Sequence, residues 1–314
     1  MLAMTGKETS SQRSPDSNPM NSRNKGMAMK IIFSMTGLVA IGIAVALINA
    51  SLEQAEAGST VYVGHRAAGR VSMEKVDHSS WDKLLRKYVD KDGYVNYRTW
   101  HASSSDRQAL SGYLSSLSQA NPQVSASKDA KLAFWINAYN AVTVHGILRE
   151  YPTSSIRNHT AKLFGYNIWK DLQIYVSGRA YSLEAIEHQT LRKMSEPRIH
   201  FAIVCASIGC PRLLNEAYTA SKVQQQLEAN AKDFFSRSQN FRYEPQSRRF
   251  YLSSIMSWFA EDFGSNQSSQ LRTISRWLPD KSAKAAAQAG SGSVSYLDYN
   301  WNLNDQASRR VARR

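Results

Sequence analysis

The spacing of apolar positions changes along this chain, and each change marks an element. From Ile31 to Ala50 there are twenty residues without a charge. Trp81, Leu84, Leu85 and Tyr88 then recur at helical spacing, and Leu110, Tyr113, Leu114 and Leu117 repeat it, predicting helices near 80–89 and 104–119. Asp129 to Glu150 is apolar almost all round and stops at Tyr151-Pro152, where proline cannot continue a helix. A helix without a polar face is the expected buried centre of a fold.

The remaining pattern is mixed. Arg198–Cys205 reads as the clearest strand, apolar on both faces, and Gln173–Val176, Tyr94–Tyr97 and Val294–Leu297 read as short ones. Phe241–Leu252 predicts a hairpin. Ser182 caps a predicted helix to Lys193, with Glu184 in its first turn, and further helices are predicted over 220–236, Ser253–Phe263 and Gln267–Leu278. The run Ala283–Ser293 is small and reads as flexible. Helices outnumber strands without alternating with them. The expected class is α+β: a predominantly helical single domain over 75–305, with a small mixed or antiparallel sheet and a central buried helix at about 129–150. Residues 58–74 read as a linker and 306–314 as a solvated basic tail.

The N-terminus sets the compartment. Lys7, Arg13, Arg23, Lys25 and Lys30 precede the apolar run, and Ser51–Gly58 holds a small-x-small site, which together are the parts of a secretory signal. Twenty apolar residues also match the length of about 20 that spans a bilayer. Residues 1–57 are therefore expected to be an export signal or an N-terminal membrane anchor through 31–50. Either places the remainder in the periplasm or outside the cell.

Charge narrows the partners. The chain carries a formal +14; residues 1–57 contain five Lys or Arg and four Asp or Glu, so the rest keeps +13. That excess favours anionic partners such as an envelope polymer, besides a small molecule or peptide. No nucleic-acid-binding signature accompanies it, and export also argues against nucleic acid. The membrane is expected to be met only through 31–50. Asp90-Lys-Asp-Gly93 lacks the further ligands of a calcium loop, and no His pair sits at zinc-finger spacing, so neither a metal nor a cofactor is expected.

The candidate chemistry gathers at two cysteines, Cys205 and Cys210. In an oxidising compartment such a pair forms a disulfide. Cys205, at the end of a buried strand, also reads as a thiolate nucleophile with the loop Ala206–Cys210 supplying oxyanion donors, or as an inert buried thiol. In strand geometry His200 and Cys205 point to opposite faces, so a base is expected from another element. His145 lies near the C-terminal end of the central helix, where the dipole favours a cation, and His188 lies on the polar side of its own helix. Asn137 and Asn140 sit on adjoining turns of the apolar helix. They are expected either to bond loop backbone or to orient a histidine, as in Cys-His-Asn sites.

Five stretches carry a family resemblance. They are Phe134-Trp-Ile-Asn-Ala-Tyr-Asn140, Ser182-Leu-Glu-Ala-Ile-Glu-His-Gln-Thr-Leu-Arg192, His200-Phe-Ala-Ile-Val-Cys-Ala-Ser-Ile-Gly-Cys-Pro211, Leu252–Phe263 and Tyr296–Leu303. In this order they resemble the domain of unknown function 547 family, from about residue 80 to 304. The resemblance implies a bacterial-type, often exported domain without an assigned reaction. It implies motif residues at Asn137, Asn140, Glu187, His188, Arg192, His200, Cys205 and Pro211. Where the family's closing motif reads Tyr-Asp-Trp, this chain has Tyr299-Asn300-Trp301, which puts a carboxylate role there in doubt.

Two functions follow as expectations. One is a thiol-dependent peptidase- or transferase-like enzyme with Cys205 as nucleophile, His145, His188 or His200 as base, and Asn137, Asn140, Glu187 or Arg192 binding or orienting. The other is a non-catalytic periplasmic binding domain stapled by a Cys205–Cys210 disulfide.

Overall fold

The computed structural model describes residues 60–160 and 166–311. The expected export signal or anchor over 1–57, with its apolar run 31–50, lies outside the described residues. No helix among the described residues is long and apolar enough to cross a membrane.

In chain order the elements are β1 (Val61–Val63), α1 (Ser79–Tyr88), α2 (Tyr97–Ala102), α3 (Ser104–Leu117), α4 (Lys128–Glu150), α5 (Ile168–Asp171), β2 (Leu172–Val176) and β3 (Arg179–Ser182). After irregular turns come α6 (Val223–Ser236), β4 (Phe241–Glu244), β5 (Arg249–Ser253), α7 (Ile255–Trp258), α8 (Ala260–Phe263), α9 (Gln267–Ile274), α10 (Lys281–Gln288), β6 (Ser293–Leu297) and α11 (Gln306–Val311). The class is α+β and predominantly helical, with two small mixed sheets. In the first, β2 pairs parallel to β1 and antiparallel to β3. In the second, β5 pairs antiparallel to β4 and parallel to β6.

The central helix is α4. Ser127 Oγ accepts the Ala130 N–H at 3.1 Å, Asp129 lies in the first turn, and Tyr151 turns extended ahead of Pro152. Seventeen of its 23 residues are buried, as a helix without a polar face requires. Gly146 lets α5 and β2 close on it, because a Cβ there would meet Ile168 and Leu172 at 2.7 Å. One apolar cluster surrounds α4, and a second joins α6, β4, β5 and α7 to α10. Phe201 belongs to the second cluster, against Phe234, Phe235, Phe263 and Trp277.

Several elements differ from expectation. The predicted strand Arg198–Cys205 is a 3-10 turn over Pro197–Phe201 followed by irregular backbone. Pro197 suits a first helical turn, and the Glu196 carboxylate caps it by accepting the Arg198 N–H at 3.1 Å. Beyond it, Asn140 supplies what a neighbouring strand would have. Its Nδ2 donates to Ala202 O at 2.9 Å and its Oδ1 accepts the Val204 N–H at 3.0 Å. Asn137 does the same for Tyr218, at 2.8 Å to the carbonyl and 3.0 Å from the amide. Both asparagines hold loop backbone.

Ser182 caps as expected, its Oγ accepting the Ala185 N–H at 3.1 Å, but Ala185–Leu191 winds as a π-helix. The helix predicted over Ser253–Phe263 breaks into α7 and α8 at Phe259. Val95 makes isolated bridges to Val89 and Asp305 in place of a strand, and Tyr97 begins α2. The expected linker 58–74 contains β1, and the run expected to be flexible contains α10, capped by Asp280. The expected solvated tail forms α11. There Arg309 pairs with Asp90 at 3.2 Å and Asp92 at 2.6 Å, which occupies the acids of the Asp-x-Asp-Gly turn.

Asn140→Leu keeps the branched side-chain shape but leaves the Ala202 carbonyl and Val204 amide unpaired in the interior. The expected loss is about 2–6 kcal/mol, from about 1–3 kcal/mol for each unmet group. Chemical denaturation of the variant measures it. A loss below about 0.5 kcal/mol, the range of an ordinary surface substitution, would show that the amide does not hold the loop.

Candidate active site

The loop after Val204 is held on two sides. Behind it is Asn140. In front, the segment 299–304 zips onto it: the Ile208 and Gly209 amides donate to Asn302 and Asn300 carbonyls, both at 2.8 Å, and Asn304 N donates to Ala206 O at 3.1 Å. Gly209 permits this approach, since a Cβ there would lie 2.9 Å from Asn300 N and 3.0 Å from the Tyr299 ring. Ala206 takes a left-handed φ of 57°, a strained conformation for a residue with a Cβ. The turn aims both cysteines inward.

No bond joins the two sulfurs. Cys205 is half-buried and Cys210 buried, with their sulfurs 2.7 Å apart. Cys210 Sγ also accepts the Cys205 N–H at 2.9 Å and hydroxyl donors from Tyr299 at 3.1 Å and Ser207 at 3.5 Å. Tyr299 Oη and Ser207 Oγ lie 3.1 and 3.2 Å from Cys205 Sγ and 2.8 Å from each other. Burial opposes ionisation of Cys210, yet the hydrogen bonds from Cys205, Ser207 and Tyr299 outweigh it and lower its pKa below the ordinary thiol value. Cys205, whose proton bonds to Cys210, is raised by that bond and by burial. The two titrate as a pair sharing one proton.

The pair floors a cavity of about 180 Å³. Its walls are aromatic: Trp258 stacks on Trp301 at 5.7 Å, Tyr299 lies 4.5 Å from Trp301, and Trp169 meets Trp301 edge-on at 6.4 Å. Ile203, Pro211, Ile255 and Phe259 complete the apolar lining, and the polar groups besides the thiols are Glu187, His200, Tyr139 and the Tyr299 hydroxyl.

Glu187 comes from the π-helical segment and accepts a hydrogen bond from Tyr139 Oη at 3.3 Å. Burial raises its pKa to about 7, with the Cys210 and Asp262 charges adding, while Tyr139 and Arg192 oppose. His200 Nε2 lies 2.7 Å from Asp262 Oδ2, and its ring stacks on Phe259 at 4.1 Å. Burial lowers its pKa to about 4, against the pull of Asp262. It is therefore neutral near pH 7, with Nε2–H donating to Asp262. Its Nδ1 is buried without a hydrogen-bond partner among the described residues. Arg192 clamps Asp262 at 2.7 and 2.9 Å, also bonds Glu261, and lies 3.0 Å from His188 Nδ1.

These positions sort the expected site residues. Cys205, Cys210, Glu187, His200 and Pro211 line one cavity. Arg192 and exposed His188 support it from outside, and Asn137 and Asn140 hold its frame. His145 is elsewhere, in a cleft of about 580 Å³ with Arg107 and Arg149. Its pKa is lowered to about 4 by burial, with Arg149 adding, so desolvation outweighs the expected helix-end effect. No histidine nitrogen is within hydrogen-bond reach of either sulfur; the partners are Ser207, Tyr299 and the other cysteine. Of the expected oxyanion donors, the Ile208, Gly209 and Cys210 amides bond backbone carbonyls, which leaves those of Ala206 and Ser207. A larger cleft of about 490 Å³ beside α1 holds Asp82, Arg86 and Glu216, which pair with one another, and no cysteine.

Sequence reasoning missed Tyr299, Ser207, Asp262 and the aromatic wall. All except Trp169 fall within the quoted stretches, and two tryptophans in short loop-like motifs, Trp258 and Trp301, were the available signal. Asn300 lies outside the cavity. Its Oδ1 accepts the Asn302 N–H at 3.0 Å, a turn bond that either Asp or Asn makes. Among the described residues no three His, Cys, Asp or Glu side chains converge on a metal position.

The family model described as "Protein of unknown function, DUF547" matches residues 124–235. The chain resembles that family over this span, which holds α4, Glu187, His200 and both cysteines. Trp258, Tyr299 and Trp301 lie beyond it and line the same cavity, and Asp262, also beyond it, holds His200 there. No curated protein and no solved structure matches the chain.

The raised Glu187 sets a pH dependence. Between its ordinary value of 4.5 and about 7 the folded state binds the extra proton, so stability falls as pH rises through that window. Glu187→Gln is expected to remove about 1–3 kcal/mol of the decline between about pH 5 and about pH 8. Denaturant midpoints of both proteins at the two pH values measure it, and parallel declines would refute a buried, protonated Glu187.

Proposed function

We propose that this protein is an exported, thiol-dependent enzyme whose cavity presents the Cys205–Cys210 dithiol to a small molecule or a peptide side chain, and that its reaction is thiol–disulfide exchange. The observation that carries this reading is the convergence of two free sulfurs, 2.7 Å apart, with an amide and two hydroxyls donating to them. Such donors stabilise a thiolate, the reactive form of cysteine.

The step balances within the pair. Cys205, half-buried and open to the cavity, passes its proton to Cys210 and attacks one sulfur of a substrate disulfide. The substrate S–S bond breaks, a mixed disulfide forms on Cys205, and the first leaving thiolate takes the proton back from Cys210. Cys210 then attacks Cys205, closing the internal disulfide and releasing the second substrate sulfur as a thiolate, which takes up a proton from water. The protein dithiol is oxidised and the substrate disulfide reduced; an external thiol restores the dithiol.

A second reading, acyl transfer on a peptide or amide with Cys205 as nucleophile, draws support from Glu187, whose proton near neutrality suits a leaving amine. The bonded Ile208, Gly209 and Cys210 amides weigh against it. The binding-domain alternative requires a permanent Cys205–Cys210 bridge.

Reduced protein mixed with hydroxyethyl disulfide is expected to lose two hydrogens, forming the internal bridge at least about tenfold faster than thiols of the unfolded chain react. Cys210→Ser is expected to stop at a mixed disulfide on Cys205, and Cys205→Ser to form no adduct at that speed. Mass spectrometry of the quenched mixtures reads all three. If the folded thiols react no faster than the unfolded ones, or the native bridge resists mild reductant, the exchange reading fails and the binding-domain alternative gains.

A further inference from the structure

We infer that this cavity selects a substrate bearing an alkylammonium group, held by the aromatic wall of Trp169, Trp258, Trp301 and Tyr299 and by the Glu187 carboxylate. The inference deepens the dithiol reading by naming a substrate class for the same site, and the cation cage stands on its own geometry.

The charge distribution is the first argument. The chain carries a formal +14, yet among the described residues no Lys or Arg lines this cavity. Of the two guanidiniums against its wall rings, Arg192 is committed to Asp262 and Glu261, and Arg157 lies on Trp301. Inside are two groups able to carry negative charge, Glu187 and the thiol pair, and among the described residues the one cation felt there is Arg192, from outside the lining. Two uncompensated anions in an apolar enclosure are costly, and a bound cation relieves both.

The second argument is shape. Trp258, Tyr299 and Trp301 cluster with ring centroids 4.5–5.7 Å apart, and Trp169 stands nearly perpendicular to Trp301 at 82°. The three rings pack on one another and form one wall with Trp169, so a cation meets the faces and edges they turn to the cavity, the kind of π-contact that binds methylated ammonium groups. Rings of this set already attract cations from outside: Arg157 lies 5.2 Å from the Trp301 centroid and Arg192 5.5 Å from Phe259, and neither arginine lines the cavity. Trp258 is 49% exposed, so the cage opens to solvent beside the dithiol. At about 180 Å³ the space takes one small head group and the sulfur attached to it.

Three disulfides of similar size test this on the full chain: cystamine is cationic, hydroxyethyl disulfide neutral and dithiodiglycolate anionic. Each rate with reduced protein is divided by its rate with the unfolded chain, which removes intrinsic reactivity. The expected order is cystamine, then neutral, then anionic, with cystamine ahead of the neutral compound by about threefold to thirtyfold, the range that cation–π contact supports. Glu187→Gln and Trp258→Ala are each expected to bring that ratio towards one. Equal normalised rates in the wild type overturn cation selection and leave the dithiol reading standing. So does a ratio that survives both substitutions.

Binding without thiol chemistry is the independent readout. Tryptophan fluorescence titrated at about pH 8 with tetramethylammonium, and with uncharged tert-butanol, tests the cage alone. Saturable change with the cation only, lost in Glu187→Gln, supports the inference even if no disulfide reacts, in which case the exchange reading alone falls. An identical response to both probes overturns it.

Discussion

Both polar ends of the Asn140 amide are committed to the backbone of Ala202 and Val204, and the placement of the thiols depends on that grip. An irregular chain crossing an apolar interior must satisfy every amide and carbonyl, and neither helix nor sheet does so here. A carboxamide offers one donor and one acceptor in the spacing of a peptide group, so one side chain replaces a neighbouring strand. Asn137, one turn earlier, repeats the device on Tyr218. With two loops anchored to a rigid helix, Cys205 follows Val204 directly into the cavity. The opposite side is closed by Tyr299–Asn304, so the sulfurs lie between a helix and a returning strap.

That enclosure then decides the protonation states. Burial depresses His200 into a neutral ring despite its carboxylate partner, and pushes Glu187 towards a neutral carboxyl. Asp262 stays ionised because Arg192 and His200 both bond it, which outweighs its burial. The thiol pair differs from these groups in holding its own proton donor: one sulfur ionises at the expense of the other. The charge that survives in the cavity is therefore concentrated on sulfur, joined by Glu187 only above about pH 7, while the cationic surface of the protein is held outside. His200, stacked on Phe259 and bonded to Asp262, positions α8 against the cavity and leaves Nδ1 as an acceptor.

Local rules reached some of this and missed the rest for definable reasons. The buried character of α4, the hairpin of β4 and β5, the capping role of Ser182 and the backbone-holding role of Asn137 and Asn140 all follow from residue type and spacing. The strand reading of Arg198–Cys205 failed because its apolar density records burial, and burial by itself does not choose between a strand and a chain supported by side-chain amides. The split between α7 and α8 and the π-helical turn around Glu187 depend on tertiary packing, which single-sequence periodicity does not carry. The cage was illegible for a topological reason. Trp169, Trp258 and Trp301 come from three separate segments, and His200 meets Asp262 from 62 residues away. The quoted family-like stretches contained most of these residues without indicating which ones meet.

Thiol–disulfide exchange fits the three bonded loop amides better than acyl transfer does. Attack on a carbonyl places negative charge on oxygen, and enzymes that do this hold free N–H donors where the charge will form. Here Ile208 and Gly209 give their N–H groups to the strap, and Cys210 gives its own to Ser207 O. Freeing them would open the contacts that shape the loop. Exchange between sulfurs develops no oxyanion. Its charge moves from one sulfur to the next along a line, and groups that stabilise sulfur anions are what this cavity retains: the Cys205 amide, the Ser207 and Tyr299 hydroxyls, and the second thiol. The hydrogen bonds of Ile208, Gly209 and Cys210 thus build the turn that brings two cysteines, five positions apart, face to face.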